Sequence, residues 1–327
     1  MPGASVVIPN WNGAQRLSPL ISSLADQTEP PQEILVVDNG STDDSVALAR
    51  ALGAHVIELR QNRGFAAAVN EGLRAAGGEW IAILNNDVSV ACHWLETLRS
   101  HAERSDAWFA TGKLIDANRP RQLDGAWDAL CRGACAWRCG AARTDGPAWN
   151  AERPIRFAPF TAALFRADLF RRVGYLDEAF ESYLEDVEFG VRCAVNGYSG
   201  IYVPCAVASH EGSATLGKWH KDTVRRISRN QVLLIARHFP SNWAFRYGWP
   251  VLVSQMLWGL VALRHGAGFS YAAGKLEGLR LYRKLRRKPS GAERALDVVL
   301  RESENEIRQL QRETGFDLYW RLYFALT

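Results

Sequence analysis

Five consecutive apolar residues, Trp80-Ile81-Ala82-Ile83-Leu84, give way without transition to Asn85-Asn86-Asp87. A run with no polar alternation reads as a strand covered on both faces, as parallel strands between helices are. Such a strand delivers its last residues to the carboxyl edge of an open α/β sheet, where ligands bind. Asp87 is therefore predicted at a site. A hard divalent cation takes oxygen ligands and keeps waters and substrate phosphates, so one carboxylate of this kind can be enough. The same three residues also suit a plain turn.

The preceding chain repeats the arrangement. Residues 5–9 form a β-branched strand closed by Pro9, and Asn10-Trp11-Asn12-Gly13 is a loop that opens a helix over 14–26. Residues 33–38 form a second strand ending in Asp38, and Asn39-Gly40-Ser41-Thr42 turns into a helix over 45–52 that Ser41 or Thr42 can cap. A third strand over 55–59 and a third helix over 63–76 follow. This alternation predicts a mostly parallel sheet flanked by helices, with polar groups gathered at three strand ends. No Gly-x-Gly-x-x-Gly follows a strand and no Gly-Lys-Ser/Thr loop is present, which counts against a dinucleotide oxidoreductase and a P-loop ATPase.

Beyond a further strand over 107–115, residues 116–153 read as irregular, with Trp127, Trp137 and Trp149 among glycines and arginines. A long insertion of that kind is usually functional, and it is expected to form part of an acceptor-binding wall. Residues 155–165 resume a strand-like pattern before a short helix over 168–173. The acid-rich stretch that follows runs into a helix on which Asp186 shares a face with Phe189, Gly190, Cys193 and Gly197. A carboxylate turned toward a packed face is costly without a task or a partner, which marks Asp186 as a candidate. The plain alternative is an acid favoured by the helix dipole. Glu185, Glu188 and Arg192 fall on another side and are expected to be solvated. A last strand over 200–203 leads to His210, which would end near Asp87 as a second metal-ligand candidate.

Of the 327 residues six are cysteines, and no secretory leader opens the sequence, so a cytoplasmic location and reduced thiols are expected. Cys131, Cys135 and Cys139 recur every four residues and on a helix would stack along one face. Zinc sites pair cysteines more tightly and need a fourth ligand, so free thiols are expected. The length suits a catalytic domain over 1–215 and a helical extension over 216–327. Residues 249–263 are apolar apart from Ser254 and Gln255, but fall short of the ~20 needed to span a bilayer. The run over 275–288, with Arg280, Arg283, Lys284, Arg286, Arg287 and Lys288, gives that helix a basic neighbour suited to an anionic membrane surface. A helix packed on the catalytic domain with a solvated basic face is the alternative. The aromatic segment over 316–324 is suited to docking the tail or to pairing two subunits as a homodimer.

Residues 6–12, 36–43, 62–70, 84–88, 174–178 and 183–188 follow, in order, the motifs of the family 2 glycosyltransferases. The chain resembles that family, more narrowly its rhamnosyltransferase-like branch. The resemblance implies a GT-A fold, a nucleoside-diphosphate sugar donor, a divalent metal (Mn2+ or Mg2+), and a glycan or polyprenyl-linked acceptor in cell-surface polysaccharide synthesis, with no nucleic-acid partner. It implies that Asp38 pairs with a pyrimidine base and that Pro9, Asn10 and Asn12 line the nucleoside pocket, with Asn39, Arg63, Asn70, Asn85 and Asn86 beside them. Asp87 and His210 would hold the metal, and Asp186 would deprotonate the acceptor hydroxyl. The sequence departs from the commonest pattern at Asn85, where many relatives carry aspartate, and at Trp11, where they often carry tyrosine. The Gln-x-x-Arg-Trp stretch of processive synthases is absent, so one inverting transfer per encounter is expected, by a protein on the inner face of the cell membrane. A sugar nucleotidyltransferase or a non-catalytic nucleotide-sugar-binding protein are the rival classes. The first would show a Gly-rich loop with arginine where Asn10-Trp11-Asn12-Gly13 stands, and the second has no need of Asp186.

Overall fold

In the computed structural model, which describes residues 3–212, 219–286 and 292–327, the apolar run is strand β4 (Trp80–Leu84) and all five of its residues are buried. Strand β1 (Ala4–Asn10) lies parallel to it, followed by β2 (Glu33–Asp38) and β3 (His55–Glu58), all parallel. Helices cover both faces. Val7 and Ile83 pack into one core with Ala66 and Val69 of α3 (Phe65–Ala75), while Val6, Ile8 and Ala82 pack into another with Leu17 and Leu20 of α1 (Ala14–Ala25). Neighbouring strand residues thus face two separate apolar layers, which removes any reason for polar alternation. Helix α2 (Ser45–Ala51) completes the second β-α unit.

On the other side of β4 the sheet changes character, so the whole is mixed. Strand β11 (Ala162–Arg166) is antiparallel to both β4 and β6 (Phe109–Asp116), and β12 (Gly200–His210) then runs parallel to β6. The stretch expected as one strand over 155–165 is split between β10 (Arg153–Ile155) and β11. The last strand runs seven residues past its expected end at 203. A register shift between Val203 and Val207 lets β12 continue, and a Cβ on Gly112 of β6 would stand 1.7 Å from the Ala206 carbonyl oxygen. Glycine is what lets the bulged strand pass. Gly112→Ala is expected to cost about 1–3 kcal/mol through overpacking, read as a lower urea midpoint. An unchanged midpoint would show that the bulge relaxes freely.

The extension of β12 matters because β5 (Val88–Val90) pairs antiparallel with it, placing Val88 opposite His210. The chain leaves β4, passes through Asp87, and joins a strand three places away in the sheet.

Residues 116–153 are more ordered than their composition suggests. Strand β7 (Leu123–Gly125) pairs with β6, and β8 (Asp128–Leu130) forms a hairpin with β9 (Ala136–Arg138). Trp127 is fully buried, its ring centroid 5.9 Å from Trp149 and 4.9 Å from Tyr202. These large aromatics tie the insertion into the apolar cluster of the sheet, which glycine content alone does not reveal. Cys131, Cys135 and Cys139 are buried around the hairpin and not on a helix, and all six cysteines are free.

Among the described residues five helices follow: α7 (Lys221–His238), α8 (Trp243–Arg264), α9 (Gly268–Leu285), α10 (Glu293–Thr314) and α11 (Leu318–Leu326). Ile307 and Leu310 of α10 and Trp320 and Tyr323 of α11 share one apolar cluster with Trp127, Phe160 and Phe189. Two members leave the expected basic surface. Lys275 points inward, its Nζ donating to Ser228 O (3.0 Å) and Gln231 Oε1 (2.7 Å), and burial pulls its pKa down to about 7. Arg286 donates to Pro240 O at 2.8 Å. Arg287, Lys288 and the expected boundary at 215/216 lie outside the described residues. No described helix is long and apolar enough to cross a membrane.

Candidate active site

The strand ends do converge. Asn10, the last residue of β1, is buried; its Nδ2 donates to Asp38 Oδ1 (3.2 Å) and its Oδ1 accepts from Asn86 Nδ2 (2.8 Å). One amide thereby ties the ends of β1, β2 and β4 together. Asp38 is buried, its other oxygen accepting from the Ser41 N–H at 2.9 Å. Asn39 Nδ2 donates to Asn62 Oδ1 (3.2 Å) and Gly64 O (3.0 Å), and its Oδ1 accepts from the Arg63 N–H (2.8 Å). The Arg63 guanidinium sits 3.2 Å from both Glu71 and Glu178.

These ends open on a cleft of about 1100 Å3. Pro9, Asn10, Asn39, Arg63, Asn85, Asn86, Asp87, Asp186 and His210 line it together. Asp38 and Asn70 are buried outside that lining, and Asn12 is exposed outside it. Asn12 accepts from the Thr42 N–H at 2.8 Å, and Asn70, fully buried, clips a loop through Leu176 N (2.9 Å) and Leu176 O (3.0 Å).

Asp87 Oδ1 lies 3.2 Å from His210 Nε2, and His210 Nδ1 lies 2.9 Å from Asp124 Oδ2. Burial opposes a charge on His210, but the two carboxylates outweigh it and push its pKa up to about 9. Asn85 Oδ1 is a buried acceptor without a hydrogen-bond donor, and Asp87 Oδ1 faces the His210 ring. An unmet amide oxygen two residues from a buried carboxylate is costly unless something electropositive meets it, so this corner fits a cation. Among the described residues no three His, Cys, Asp or Glu side chains form a ready cage, so most of a cation's ligands would come from a diphosphate and water.

Asp186 is the second residue of α6 (Glu185–Val195) and its side chain is largely buried. Burial, then the charge of Asp128, raises its pKa to about 6, and Arg138 pulls the other way with Nη2 3.7 Å from Asp186 Oδ2. Arg138 is a junction. Its Nε donates to Asp128 Oδ1 (3.0 Å), its Nη1 to Thr161 Oγ1 (3.0 Å), and Nη1 stands 4.0 Å from Asp124. A line of alternating charge therefore runs from Asp186 through Arg138 and Asp124 to His210 and Asp87. Arg138, Asp124 and Asp128 all come from the insertion, and the local sequence offered no signal for them.

Glu185, Glu188 and Arg192 are not solvated as expected. Glu185 is buried, and burial followed by the Asp186 charge pushes its pKa well above the ordinary range. Glu188 has no exposed surface: Arg192 Nη2 reaches it at 2.8 Å and His238 Nε2 at 3.1 Å. Helix α7, invisible at the sequence level as part of the site, covers that side.

The loop before Asp186 is strained. Glu181, Tyr183 and Leu184 have φ of +56°, +71° and +65°, a region that residues with a Cβ avoid. Helix α7 holds them: Asn230 Nδ2 lies 2.8, 3.0 and 2.6 Å from the carbonyl oxygens of Phe180, Ser182 and Tyr183. Arg229 Nη2 adds Phe180 O at 2.9 Å and Nη1 adds Glu181 Oε1 at 2.7 Å. From the other side the N-terminus of α3 contributes, Ala66 N–H donating to Glu181 O at 2.8 Å.

This architecture is shared with solved structures. A crystal structure of GalNAc-T7 with UDP, GalNAc and Mn2+ superposes with a TM-score of 0.63 at 16% identity, covering 97% of this chain and 58% of that one. A mannosyltransferase from Pyrobaculum calidifontis in complex with GDP-Man and Mn2+ gives 0.53 at 18% identity, covering 99% and 86%. The fold is the GT-A fold. In sequence the chain is 26% identical over 289 residues to the N-acetylglucosaminyl-diphospho-decaprenol L-rhamnosyltransferase of Mycobacterium tuberculosis, covering 79% of this chain and 90% of that protein. It is 27% identical over 298 residues to the pre-mycofactocin glycosyltransferase of the same organism, covering 86% and 58%. The Glycosyl transferase family 2 model matches residues 5–174, the segment that supplies the ends of β1, β2 and β4, and the chain belongs to that family of transferases.

Proposed function

We propose that the protein is an inverting, non-processive glycosyltransferase that moves rhamnose or a related hexose from a nucleoside-diphosphate donor to a hydroxyl of a polyprenyl-linked glycan. The observation that carries this reading is Asp186: a carboxylate with a raised pKa, held by Arg138 in the same cleft as the convergent strand ends. The M. tuberculosis rhamnosyltransferase, matched over most of both chains, supports the sugar and acceptor class.

In this reading the amides at the ends of β1, β2 and β4 position the donor's nucleotide. Asn85 and Asp87 would hold a divalent cation, Mn2+ or Mg2+, which would offset charge on the departing diphosphate. Asp186 takes the proton of the acceptor hydroxyl as that oxygen attacks the anomeric carbon. A base whose pKa lies near the working pH is best matched to that transfer. One displacement from the face opposite the leaving group inverts the anomeric centre.

The test is a thermal-shift panel of nucleotide sugars with and without manganese, followed by NMR of the product's anomeric configuration. A donor at a hundredfold its dissociation constant should stabilise by about 2.7 kcal/mol. Asp87→Ala should abolish the manganese-dependent part of that shift, read against the variant's own unliganded melting temperature. Manganese dependence that survives the substitution would remove Asp87 from the metal, and a product with retained configuration would overturn the single displacement.

A further inference from the structure

We propose that the outward face of α8, flanked by exposed rows on α9 and α11, docks on the surface of an anionic lipid bilayer. Along α8, Phe245, Trp249, Leu252, Met256, Leu260 and Leu263 are all exposed, Phe245 to 93%. Their spacing of four, three, four, four and three residues puts them on one side of the helix, over a length of about 27 Å. The opposite side is spoken for: Val253 and Leu257 join the cluster of Trp320 and Tyr323, and Val251 joins that of Tyr247 and Phe239.

The row does not stand alone. Trp249 Nε1 donates to Leu326 O of α11 at 2.6 Å, and Tyr271 of α9 donates to Gln255 O of α8 at 2.9 Å, so α8 has a neighbour on each flank. On α11, Leu318, Leu322 and Leu326 are exposed at a spacing of four; on α9, Phe269, Leu276 and Leu279 are exposed, Phe269 to 94%. Contiguous apolar surface of this extent on a soluble face marks an interaction site.

Charge selects the occupant. Arg264, Arg280, Arg283, Lys284 and Arg321 are exposed on these three helices and make no ion pair among the described residues. The three helices contain one acidic residue, Glu277, and it is held by Arg225 (2.5 Å) and Arg229 (3.2 Å). A second copy of the chain would meet this face with the same face, setting arginine against arginine with no acid to answer it. An anionic leaflet answers it, and its interface accepts an amphipathic helix lying in the plane with its apolar side a few ångströms deep. No described helix is fit to cross the membrane, so the contact is one of surface docking.

This surface is independent of the transfer reading, and its test uses vesicles without donor or acceptor. The full chain is sedimented with phosphatidylcholine vesicles containing phosphatidylglycerol, and with phosphatidylcholine alone, at low and high salt. Wild type should partition onto the anionic vesicles and be released by salt. The triple variant Arg280→Gln, Arg283→Gln, Lys284→Gln should lose about fivefold per residue, on the order of a hundredfold in partition coefficient at low salt. The triple variant Phe245→Ser, Met256→Ser, Leu260→Ser should lose binding to the anionic vesicles at low salt, with circular dichroism and melting temperature unchanged. Wild type remaining in the supernatant with every lipid overturns the proposal. Where light scattering also gives a wild-type dimer that the serine variant breaks, the face is a contact between copies. Equal binding to neutral and anionic vesicles overturns the charge argument.

Discussion

Asp186→Asn should lower turnover by ~10²–10⁴-fold while leaving donor affinity nearly unchanged, the span that general-base catalysis is worth. The amide keeps the shape of the carboxylate and loses only its ability to take a proton. In wild type, burial and the neighbouring Asp128 charge have already moved Asp186 to about 6. A base works only when unprotonated, so kcat/KM should fall as pH drops through that value, and the residual activity of Asp186→Asn should lack this limb. Steady-state kinetics across pH, with calorimetry of a nucleoside diphosphate, separates the alternatives. Donor affinity falling in step with turnover would make Asp186 a ligand of the donor's phosphates or of their cation. Near-normal turnover would leave it an ordinary acid at a helix N-terminus.

Glu188→Ala should destabilise the fold by about 3–5 kcal/mol, because it strands buried charges that now answer one another. Glu188 is fully buried against Arg192 and His238, and Arg192 also donates to Val173 O (2.8 Å), Gly174 O (3.1 Å) and Tyr175 O (2.8 Å). One side chain thereby fastens α6, α7 and the loop after α5 (Ala167–Val173). Burial alone would raise the Glu188 pKa, but the hydrogen bond from His238 and the charge of Arg192 bring it from 4.5 down to about 2. A folded-state pKa below the unfolded one means that stability is present above about 4.5 and lost as pH falls toward about 2. The stability gap between wild type and Glu188→Gln should accordingly narrow across that window. Urea unfolding at several pH values measures it; a pH-independent gap would mean that Glu188 acts through packing and not through charge.

Much of the first ninety residues was legible because their structure is written locally. Each β-α unit has an apolar strand, a polar turn and an amphipathic helix in sequence, and β4 advertises its burial on both faces by having no polar residue at all. Asn10, Asn39, Asn86 and Asp87 were found for the same reason, since a strand's end is known once the strand is. What remained hidden depends on contacts between distant segments. Arg138 was unremarkable in a stretch of glycines and tryptophans until the β8–β9 hairpin carried it to Asp186. Glu185 and Glu188 looked solvated because helical periodicity identifies faces but not what covers them, and α7 lies some forty residues on. His210 was placed near Asp87, yet its route there needed the bulge in β12, for which Pro204, a residue that strands accept at bulges, was the one local signal.

The clamp that α7 places on residues 180–183 also sets an order of events during synthesis. Three left-handed residues within four cost about 1–3 kcal/mol each, and the groups that hold them are Arg229 and Asn230, nearly fifty positions further along the chain. Once residues through 212 have left the ribosome but Arg229 and Asn230 have not, the sheet can already be assembled with β12 in place, while the loop before Asp186 lacks the restraint of α7. In the transfer reading proposed above, a nascent chain at that stage would present the donor's contacts before Asp186 is aimed, and Asn230 would be the residue whose emergence completes the site.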